Sequence, residues 1–240
     1  MKNPDLPPAI IFDMDDTILS DDEAAGRCFR QVCHDFADRL PVANPDDLSG
    51  VIQEIRRWYW SDPERIQRGS LDLNRARWEL LSMAFERFGI DDDPLKEEMS
   101  LAYQHLKSAA VELIPGALDT LQALLDCGVR LGLITNGDSR GQRSKVVKAG
   151  LEPYFESILI AGEFGVAKPD PRIFRQTLEN LRVSPGQAWM VGDNLYADVG
   201  GAQALGIYGI WIDWRGDGLP DNAPAIPDRI IRSILQLYPE

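Results

Sequence analysis

Residues 9–17, AIIFDMDDT, join a short apolar run to a cluster of three aspartates. The apolar run, residues 9–12, is typical of a buried strand in a parallel sheet. Asp13, Asp15 and Asp16 follow it, so this strand would deliver carboxylates to the carboxyl edge of the sheet, where ligands bind in open α/β folds. Carboxylates this close repel one another unless a cation, a proton or a basic residue neutralises them. The simpler alternative is an Asp-rich turn without further function.

Composition limits the classes of function that the chain can have. The net charge is −13 over 240 residues, which opposes binding to nucleic acid because such binding depends on a basic surface. The three cysteines are odd in number and lack metal-type spacing, so we expect reduced thiols. No apolar run approaches the roughly 18 residues of a membrane span, and the first residues, MKNPDLPP, lack the apolar core of a signal peptide. We therefore expect a cytoplasmic protein that does not bind membranes.

The order of sequence patterns predicts an α/β fold with an insertion. Four amphipathic helical patterns without a convincing strand fill residues 21–110, and they include apolar positions such as Val51, Ile55, Trp58 and Trp78. Strands and helices then alternate, with strands at 129–135, 157–161, 188–192 and 208–212, and helices at 139–149, 171–181, 194–205 and 228–238. We predict a Rossmann-like parallel sheet with helices on both faces, formed by residues 1–20 and 111–240. Residues 21–110 would form an inserted α-helical cap domain.

Three further groups of polar residues stand at the predicted strand ends or in loops beside them. They are Thr135 and Asn136 in TNG, Lys168 in KPDP, and Asp193 and Asp198 in VGDNLYAD. Each has a structural explanation of its own: a hydroxyl that satisfies a turn, a surface lysine, and acidic residues that complement a helix dipole. Four such signals at one sheet edge are harder to obtain by coincidence than any one alone.

Together these residue types describe a phosphoryl-transfer site. Magnesium prefers carboxylate and water oxygens, which Asp13 and Asp193 can supply in part. With the metal and Lys168 cancelling charge, a phosphate dianion can approach Asp13 for in-line attack while Thr135 holds its oxygens. Asp15 can then protonate the leaving alcohol and later deprotonate water.

These segments resemble, in order and spacing, the four motifs of the haloacid dehalogenase-like hydrolase superfamily. The residues concerned are DMDDT at 13–17, TNG at 135–137, Lys168-Pro169, and Gly192-Asp193 through Asp198. The resemblance implies an aspartyl-phosphate phosphatase of the helical-cap subclass that uses Mg²⁺. It implies that Asp13 is the nucleophile and a metal ligand, that Asp15 is the acid-base group and a metal ligand through its carbonyl, and that Asp193 is a metal ligand. It implies that Thr135 and Asn136 bind phosphate and that Lys168 takes part in catalysis and phosphate binding. Thr17 and Asp198 would support these residues.

The resemblance also disfavours dehalogenation as the reaction of this chain. Superfamily members that cleave carbon-halogen or carbon-phosphorus bonds lack the second aspartate of the first motif, whereas Asp15 is present here. The segments TNGDSRGQRSKVVKAGL and NLYADVGGAQALGI are most similar to sugar-phosphate phosphatases of the N-acylneuraminate 9-phosphatase type and to small nucleotidases. We expect a small phosphorylated metabolite as substrate and a monomer or homodimer.

Two alternatives to this function stay open. One is a phosphomutase of the same superfamily, and the other is a binding or regulatory protein that keeps the fold without turnover. A group of arginines mixed with aromatic residues in the predicted cap is a candidate for substrate contact, although an ordinary helix surface explains it more simply. These arginines are Arg56, Arg57, Arg65 and Arg68.

Overall fold

The computed structural model describes residues 6–237, with the side chains of residues 63, 67, 70 and 71 excepted, and it contains a six-stranded parallel sheet. The strands in chain order are β1 (Ala9–Phe12), β2 (Arg130–Thr135), β3 (Ser157–Ile160), β4 (Ala188–Gly192), β5 (Tyr208–Ile212) and β6 (Arg229–Ile231). Their order across the sheet is β3-β2-β1-β4-β5-β6, and every neighbouring pair is parallel. The predicted α/β class with a parallel sheet is confirmed.

The described chain divides into two compact units, one of which is entirely helical. This helical unit spans 21–111, and the other unit comprises residues 1–20 and 112–240. The helices of the helical unit are α1 (Asp21–Asp35), α2 (Pro45–Tyr59), α3 (Pro63–Leu71), α4 (Leu73–Arg87) and α5 (Asp93–Ala109). A buried cluster joins α1, α2, α4 and α5, with Phe29 stacked on Tyr103 at 3.8 Å between ring centroids.

Helices of the α/β unit connect its parallel strands. They are α6 (Ala117–Asp126), α7 (Ser139–Lys148), α8 (Ala161–Phe164), α9 (Pro171–Leu181) and α10 (Gly201–Gln203), with a π-helix at Leu195–Gly200 directly before α10. Asp170 caps α9 by accepting the Arg172 amide at 2.9 Å, and Pro171 occupies the first turn. This local arrangement is the one that the sequence KPDP predicts. No helix among residues 6–237 is both long and apolar enough to cross a membrane.

Alternate residues of the central strands bury opposite faces of the sheet, because successive side chains of a strand point to opposite sides. On one face, Ala9 and Ile11 of β1 pack with Phe174 of α9. Phe12 points to the other face, where its ring meets Phe155 edge-on at 6.3 Å. Burial on both faces explains why β1 is a continuous apolar run rather than an alternating one.

The last predicted helix is wrong. Instead of a helix over 228–238, the structure has strand β6 and a short 3₁₀ turn at Ile234–Leu237, and Tyr238 lies outside the described residues. Ile230 and Ile231 are β-branched, and Ile231 pairs with Ile212 of β5. Pairing with an available sheet edge therefore outweighs the helical spacing of the apolar residues.

The helical unit also departs from the predicted pattern. Helix α3 was not predicted, although Asp62 followed by a proline is a helix-start signal, and Asp62 accepts the Arg65 amide at 3.0 Å. Trp58 and Trp78 are exposed rather than buried; the buried side of α2 contains Ile52, Ile55 and Tyr59 instead. The few apolar residues of α3 explain why periodicity did not identify it.

Three of the four arginines considered for substrate contact have partners within the helical unit. Arg56 pairs with Asp22 at 3.1 Å, and Arg68 pairs with Glu79 at 3.2 Å. Arg65 donates to the carbonyl oxygens of Trp58 and Tyr59 at 2.6 and 3.2 Å. These contacts support the simpler interpretation, in which the arginines stabilise the helical unit.

Burial predicts different reactivities for two cysteines. Cys33 is fully buried in the helical unit, and desolvation, assisted by the negative charge of Asp46, raises the pKa of its thiol to about 12. Cys127 of the α/β unit is partly exposed. Because the thiolate is the reactive form, iodoacetamide at pH 8 should label Cys127 readily and Cys33 only after denaturation. Peptide mass spectrometry would show it, and rapid labelling of Cys33 in the native protein would contradict the described packing.

The raised pKa of Cys33 predicts that the free energy of unfolding depends on pH. An unfolded cysteine loses its proton near pH 8.5, whereas folded Cys33 keeps it to about pH 12. The unfolded state therefore binds fewer protons between these values, so stability should fall as pH rises through that window. Urea unfolding of wild type and Cys33→Ala between pH 8 and pH 10 measures this, and the variant should have a smaller slope with pH.

Candidate active site

Asp13 occupies the centre of the carboxyl edge of the sheet. Its strand neighbour Phe12 pairs with Leu133 of β2 and Val191 of β4, so the next residue lies between the ends of these two strands. The Asp13 amide donates to the Val191 carbonyl at 2.8 Å, which continues the pairing to β4. The register of the strands therefore places Asp13 at this edge, as the sequence predicts.

Lys168 is buried beside Asp13 and connects three chain segments. Its Nζ is hydrogen-bonded to Asp13, forms an ion pair with Asp198 at 2.7 Å and donates to the Ile134 carbonyl at 2.9 Å. Burial alone lowers the pKa of this ammonium, but the two carboxylates outweigh that effect and raise the pKa above its ordinary value. The lysine is therefore a fixed positive charge.

Asp198 is held by the chain segment that follows β4. Asn194 caps the π-helix by accepting the Tyr196 and Ala197 amides, and the Asn194 amide in turn donates to Oδ2 of Asp198 at 3.0 Å. A Cβ on Gly192 would lie 2.2 Å from the same oxygen. Glycine at 192 is therefore required by the close approach of this carboxylate to the backbone.

The predicted helix at 194–205 is helical at 195–203, but it begins as a π-helix. The Gly201 amide reaches the Tyr196 carbonyl, five residues back, which is the wider hydrogen bonding of a π-turn. Helical periodicity cannot distinguish this winding from an α-helix.

Three carboxylates converge at the sheet edge. One oxygen each of Asp13, Asp193 and Asp198 lies within 4.8 Å of the other two. Burial raises the pKa of Asp13 to about 8, against the opposing attraction of Lys168, and repulsion from Asp198 and Asp15 adds to the rise. Burial also raises the pKa of Asp193 well above its ordinary value, with further repulsion from Asp16 and Asp13. One lysine does not compensate this charge, so the cluster favours an additional cation.

Thr135 and Asn136 lie where β2 ends, as the sequence predicts. Thr135 is buried, and its hydroxyl accepts from Gln142 Nε2 at 2.5 Å. The Asn136 side chain holds the backbone of Lys168: its Oδ1 accepts from the Lys168 amide at 2.8 Å, and its Nδ2 donates to the Lys168 carbonyl at 3.0 Å. In this structure the Asn136 side chain thus joins the TNG turn to the Lys168 loop.

Asp15 is bound by two residues that the sequence analysis did not identify. Its Oδ1 pairs with Lys145 Nζ at 2.8 Å, and its Oδ2 accepts from Gln142 Nε2 at 2.8 Å. Both partners lie on α7, three residues apart and therefore on the same side of the helix. A signal existed, because α7 begins directly after the TNG turn and its first turns must border the site.

Trp211 contacts the backbone of Asp193, whereas a supporting role of Thr17 stays a prediction. Trp211 of β5 donates from Nε1 to the Asp193 carbonyl at 2.7 Å, a contact between distant segments that no sequence motif indicates. Thr17 is fully buried, and its hydroxyl has no hydrogen-bond partner within the described part of the chain.

A family model described as haloacid dehalogenase-like hydrolase matches residues 7–206. The chain belongs to this family. Its relatives include a glyceraldehyde 3-phosphate phosphatase of Pyrococcus furiosus, 37% identical over 85% of this chain and 80% of the relative. They also include an N-acylneuraminate-9-phosphatase of Rattus norvegicus, 26% identical over 95% and 91%. The predicted family, and within it the phosphatase class, are confirmed.

A solved structure of similar architecture is the HAD-hydrolase YfnB of Bacillus subtilis, bound to magnesium. It is 25% identical, it covers 97% of both chains, and its TM-score is 0.78. This similarity extends over nearly all of the haloacid dehalogenase-like chain and confirms the predicted fold class.

We predict that Gly192→Ala is destabilising because the new methyl group meets the Asp198 carboxylate. Overpacking of this kind costs about 1–3 kcal/mol in the free energy of unfolding. Gly186→Ala is the matched control, since a Cβ there meets nothing within 4 Å. Urea denaturation followed by circular dichroism compares the two, and equal midpoints would show that the Asp198 carboxylate does not need this space.

Proposed function

We propose that this hydrolase is a Mg²⁺-dependent phosphatase of small phosphorylated metabolites that acts through an aspartyl-phosphate on Asp13. The observation that carries the proposal is the position of Asp13 at the centre of the sheet edge, in contact with buried Lys168 and within 4.8 Å of Asp193. A carboxylate next to a fixed cation is a nucleophile that a phosphate dianion can approach.

The donor set fits magnesium. Asp13 and Asp193 present hard carboxylate oxygens, and burial, with added repulsion from neighbouring aspartates, raises the pKa of both groups, so a bound cation would stabilise their ionised forms. Asp198 belongs to the same cluster but is engaged by Lys168 and the Asn194 amide, which supports an orienting role rather than ligation. We propose Asp13, Asp193 and the Asp15 carbonyl as the ligands. When bound, the ion supplies charge neutralisation for the carboxylates and the incoming phosphate.

The chain's own residues account for two chemical steps. Asp13 attacks phosphorus, the bond from phosphorus to the ester oxygen breaks, and the leaving alcohol takes a proton from Asp15. Asp15 then removes a proton from water, which attacks the phosphoaspartate and releases inorganic phosphate with Asp13 regenerated. The Thr135 hydroxyl and the amides of the following turn hold the phosphate oxygens. Lys168, oriented by Asp198, offsets the negative charge on Asp13 and the phosphate, and Asn136 fixes the loop that carries Lys168.

The relatives and the division of the chain support a proposal for the substrate class. The two relatives described above are named for phosphate esters of a triose and of a sialic acid, so we propose a sugar-phosphate type of metabolite for this chain. We propose the helical unit, 21–111, as the cap that selects among such esters, because the site residues of the mechanism all belong to the other unit. The cytoplasmic location and a monomeric or homodimeric state stay predictions.

Phosphate release tests the proposed function. Purified protein should hydrolyse 4-nitrophenyl phosphate and a panel of sugar phosphates with Mg²⁺, and exhaustive chelation should abolish turnover. Asp13→Asn should lower kcat by on the order of 10⁴-fold or more, because the variant lacks the nucleophile. Asp119→Asn, the same chemical change at an exposed site on α6, is the control and should leave kcat unchanged.

Different outcomes of that experiment separate the alternatives. Full activity after chelation contradicts the metal requirement, and retained turnover in Asp13→Asn contradicts the covalent mechanism. Activity that depends on an added sugar bisphosphate indicates a phosphomutase. No turnover of any phosphate ester indicates a binding protein on this fold.

Asp15→Asn distinguishes covalent attack by Asp13 from direct attack of water. Nitrophenolate leaves without a proton, so the variant should release one equivalent of nitrophenol per site rapidly and then turn over slowly. An alkyl phosphate should barely react, because an alkoxide leaves poorly without a proton. Rapid quench and mass spectrometry should locate the phosphoryl group on Asp13. If phosphate is released normally and Asp13 never carries the label, water attacks the ester directly.

A further inference from the structure

The carboxylate of Asp15 is held at both oxygens by one side of helix α7. Lys145 Nζ lies 2.8 Å from Oδ1, and Gln142 Nε2 lies 2.8 Å from Oδ2. A carboxylate with a single partner can still rotate about the Cβ–Cγ bond. Partners on both oxygens define the plane of the group and therefore the direction in which its lone pairs point.

Gln142 also connects Asp15 to the second motif. The same Nε2 approaches the Thr135 hydroxyl at 2.5 Å and the Asn136 carbonyl at 2.9 Å, and the side chain is buried. Two of these acceptors, Asp15 and Thr135, have separate roles in the proposed mechanism: proton transfer to the alcohol and binding of the phosphate. Gln142 thereby sets the distance between the group that holds phosphate and the group that serves the leaving alcohol.

Helix α7 is itself fixed relative to the sheet, so it can act as a rigid support. Asp138 caps its start by accepting the Gly141 amide at 2.7 Å. Arg143, which lies between Gln142 and Lys145 on α7, forms a bidentate ion pair with Glu163 of α8. Its Nε and Nη2 donate to the two carboxylate oxygens at 3.0 and 2.6 Å. The first turns of α7 are therefore held at the end of β2 and against the segment that follows β3.

We infer that Gln142 and Lys145 are positioning residues that hold the Asp15 carboxylate in the orientation required for proton transfer to the leaving alcohol. The inference rests on the proposed function and adds to it two residues outside the four sequence motifs. Neither residue forms or breaks a bond. The proton passes from Asp15 to the ester oxygen as the bond from that oxygen to phosphorus breaks and Asp13 bonds to phosphorus. Loss of either side chain leaves this proton donor misdirected.

The kinetic test compares two leaving groups in Gln142→Met and Lys145→Met. The value of kcat/KM includes only the steps up to departure of the alcohol, so it isolates the first transfer. For an alkyl phosphate, such as glycerol phosphate, it should fall on the order of 10²-fold, the contribution of a positioned general acid. For 4-nitrophenyl phosphate it should change less than about threefold, because that leaving group does not need the proton.

The controls are Lys148→Met and Gln122→Met. Lys148 is exposed one turn further along α7 and undergoes the same change of charge, and Gln122 is exposed on α6. Both should match wild type on both esters. The Mg²⁺ concentration for half-maximal activity should stay unchanged in all four variants, which a general disturbance of the carboxylate cluster would not allow.

Three kinetic outcomes would overturn the inference. Equal losses on both esters would place the residues in phosphate or metal binding. Unchanged kinetics would show that Asp15 is oriented without them. Faster reaction of the alkyl phosphate would show that the α7 contacts restrain Asp15 in a resting position.

A structural readout keeps the inference independent of the proposed function. In crystal structures of Gln142→Met and Lys145→Met, the Asp15 carboxylate should rotate away from its wild-type orientation, whereas Asp13 and Lys168 should stay in place. An unmoved Asp15 overturns the inference even when wild type is a phosphatase. A wild-type protein that releases no phosphate from any ester overturns the proposed function, whatever the orientation of Asp15.

Discussion

The arrangement of the sheet edge depends on the buried ammonium group of Lys168. A lone charge in this environment would be strongly unfavourable, and the two carboxylates of Asp13 and Asp198 together with the Ile134 carbonyl make it tolerable. Removing one partner of a buried pair costs about 3–5 kcal/mol, because the other charge is left uncompensated. The ends of β1 and β2 and the segment after β4 are therefore connected by one side chain.

Neighbouring residues hold Lys168 and Asp198 in place for this ion pair. Asn136 uses both ends of its amide on the Lys168 backbone, and Gly192 leaves the space that the Asp198 carboxylate fills. Asp198 is thus committed to the lysine, although its oxygens lie within reach of a shared cation. The pair that stays available for a metal is Asp13 with Asp193, whose pKa values are raised by burial and, to a smaller extent, by repulsion from neighbouring aspartates.

The sequence predicts what depends on strand ends, and it fails where distant segments meet. Apolar runs directly precede Asp13, Thr135 and Asp193. Because the carboxyl ends of parallel strands lie at one edge of the sheet, the sequence predicts that these three residues lie there together. Asp170 and Asn194 act as helix caps, which nearby sequence determines. By contrast, residues 229–231 form a strand because the edge of β5 is available to them. The contacts of Gln142 and Lys145 with Asp15 span more than 120 residues, and single-sequence periodicity contains no information about such pairs.

Two aspartates of the site, Asp13 and Asp15, are ion-paired with lysines from different parts of the chain. Asp13 is ion-paired with Lys168 from the loop before α9, whereas Asp15, two residues away, is ion-paired with Lys145 from α7. In the proposed mechanism the nucleophile must stay ionised while the acid-base group changes its protonation state. Shared neutralisation by one lysine would couple these requirements, because a proton on one carboxylate would change the field at the other. Separate lysines reduce that coupling, so the two aspartates of one short turn can serve different steps of the same reaction.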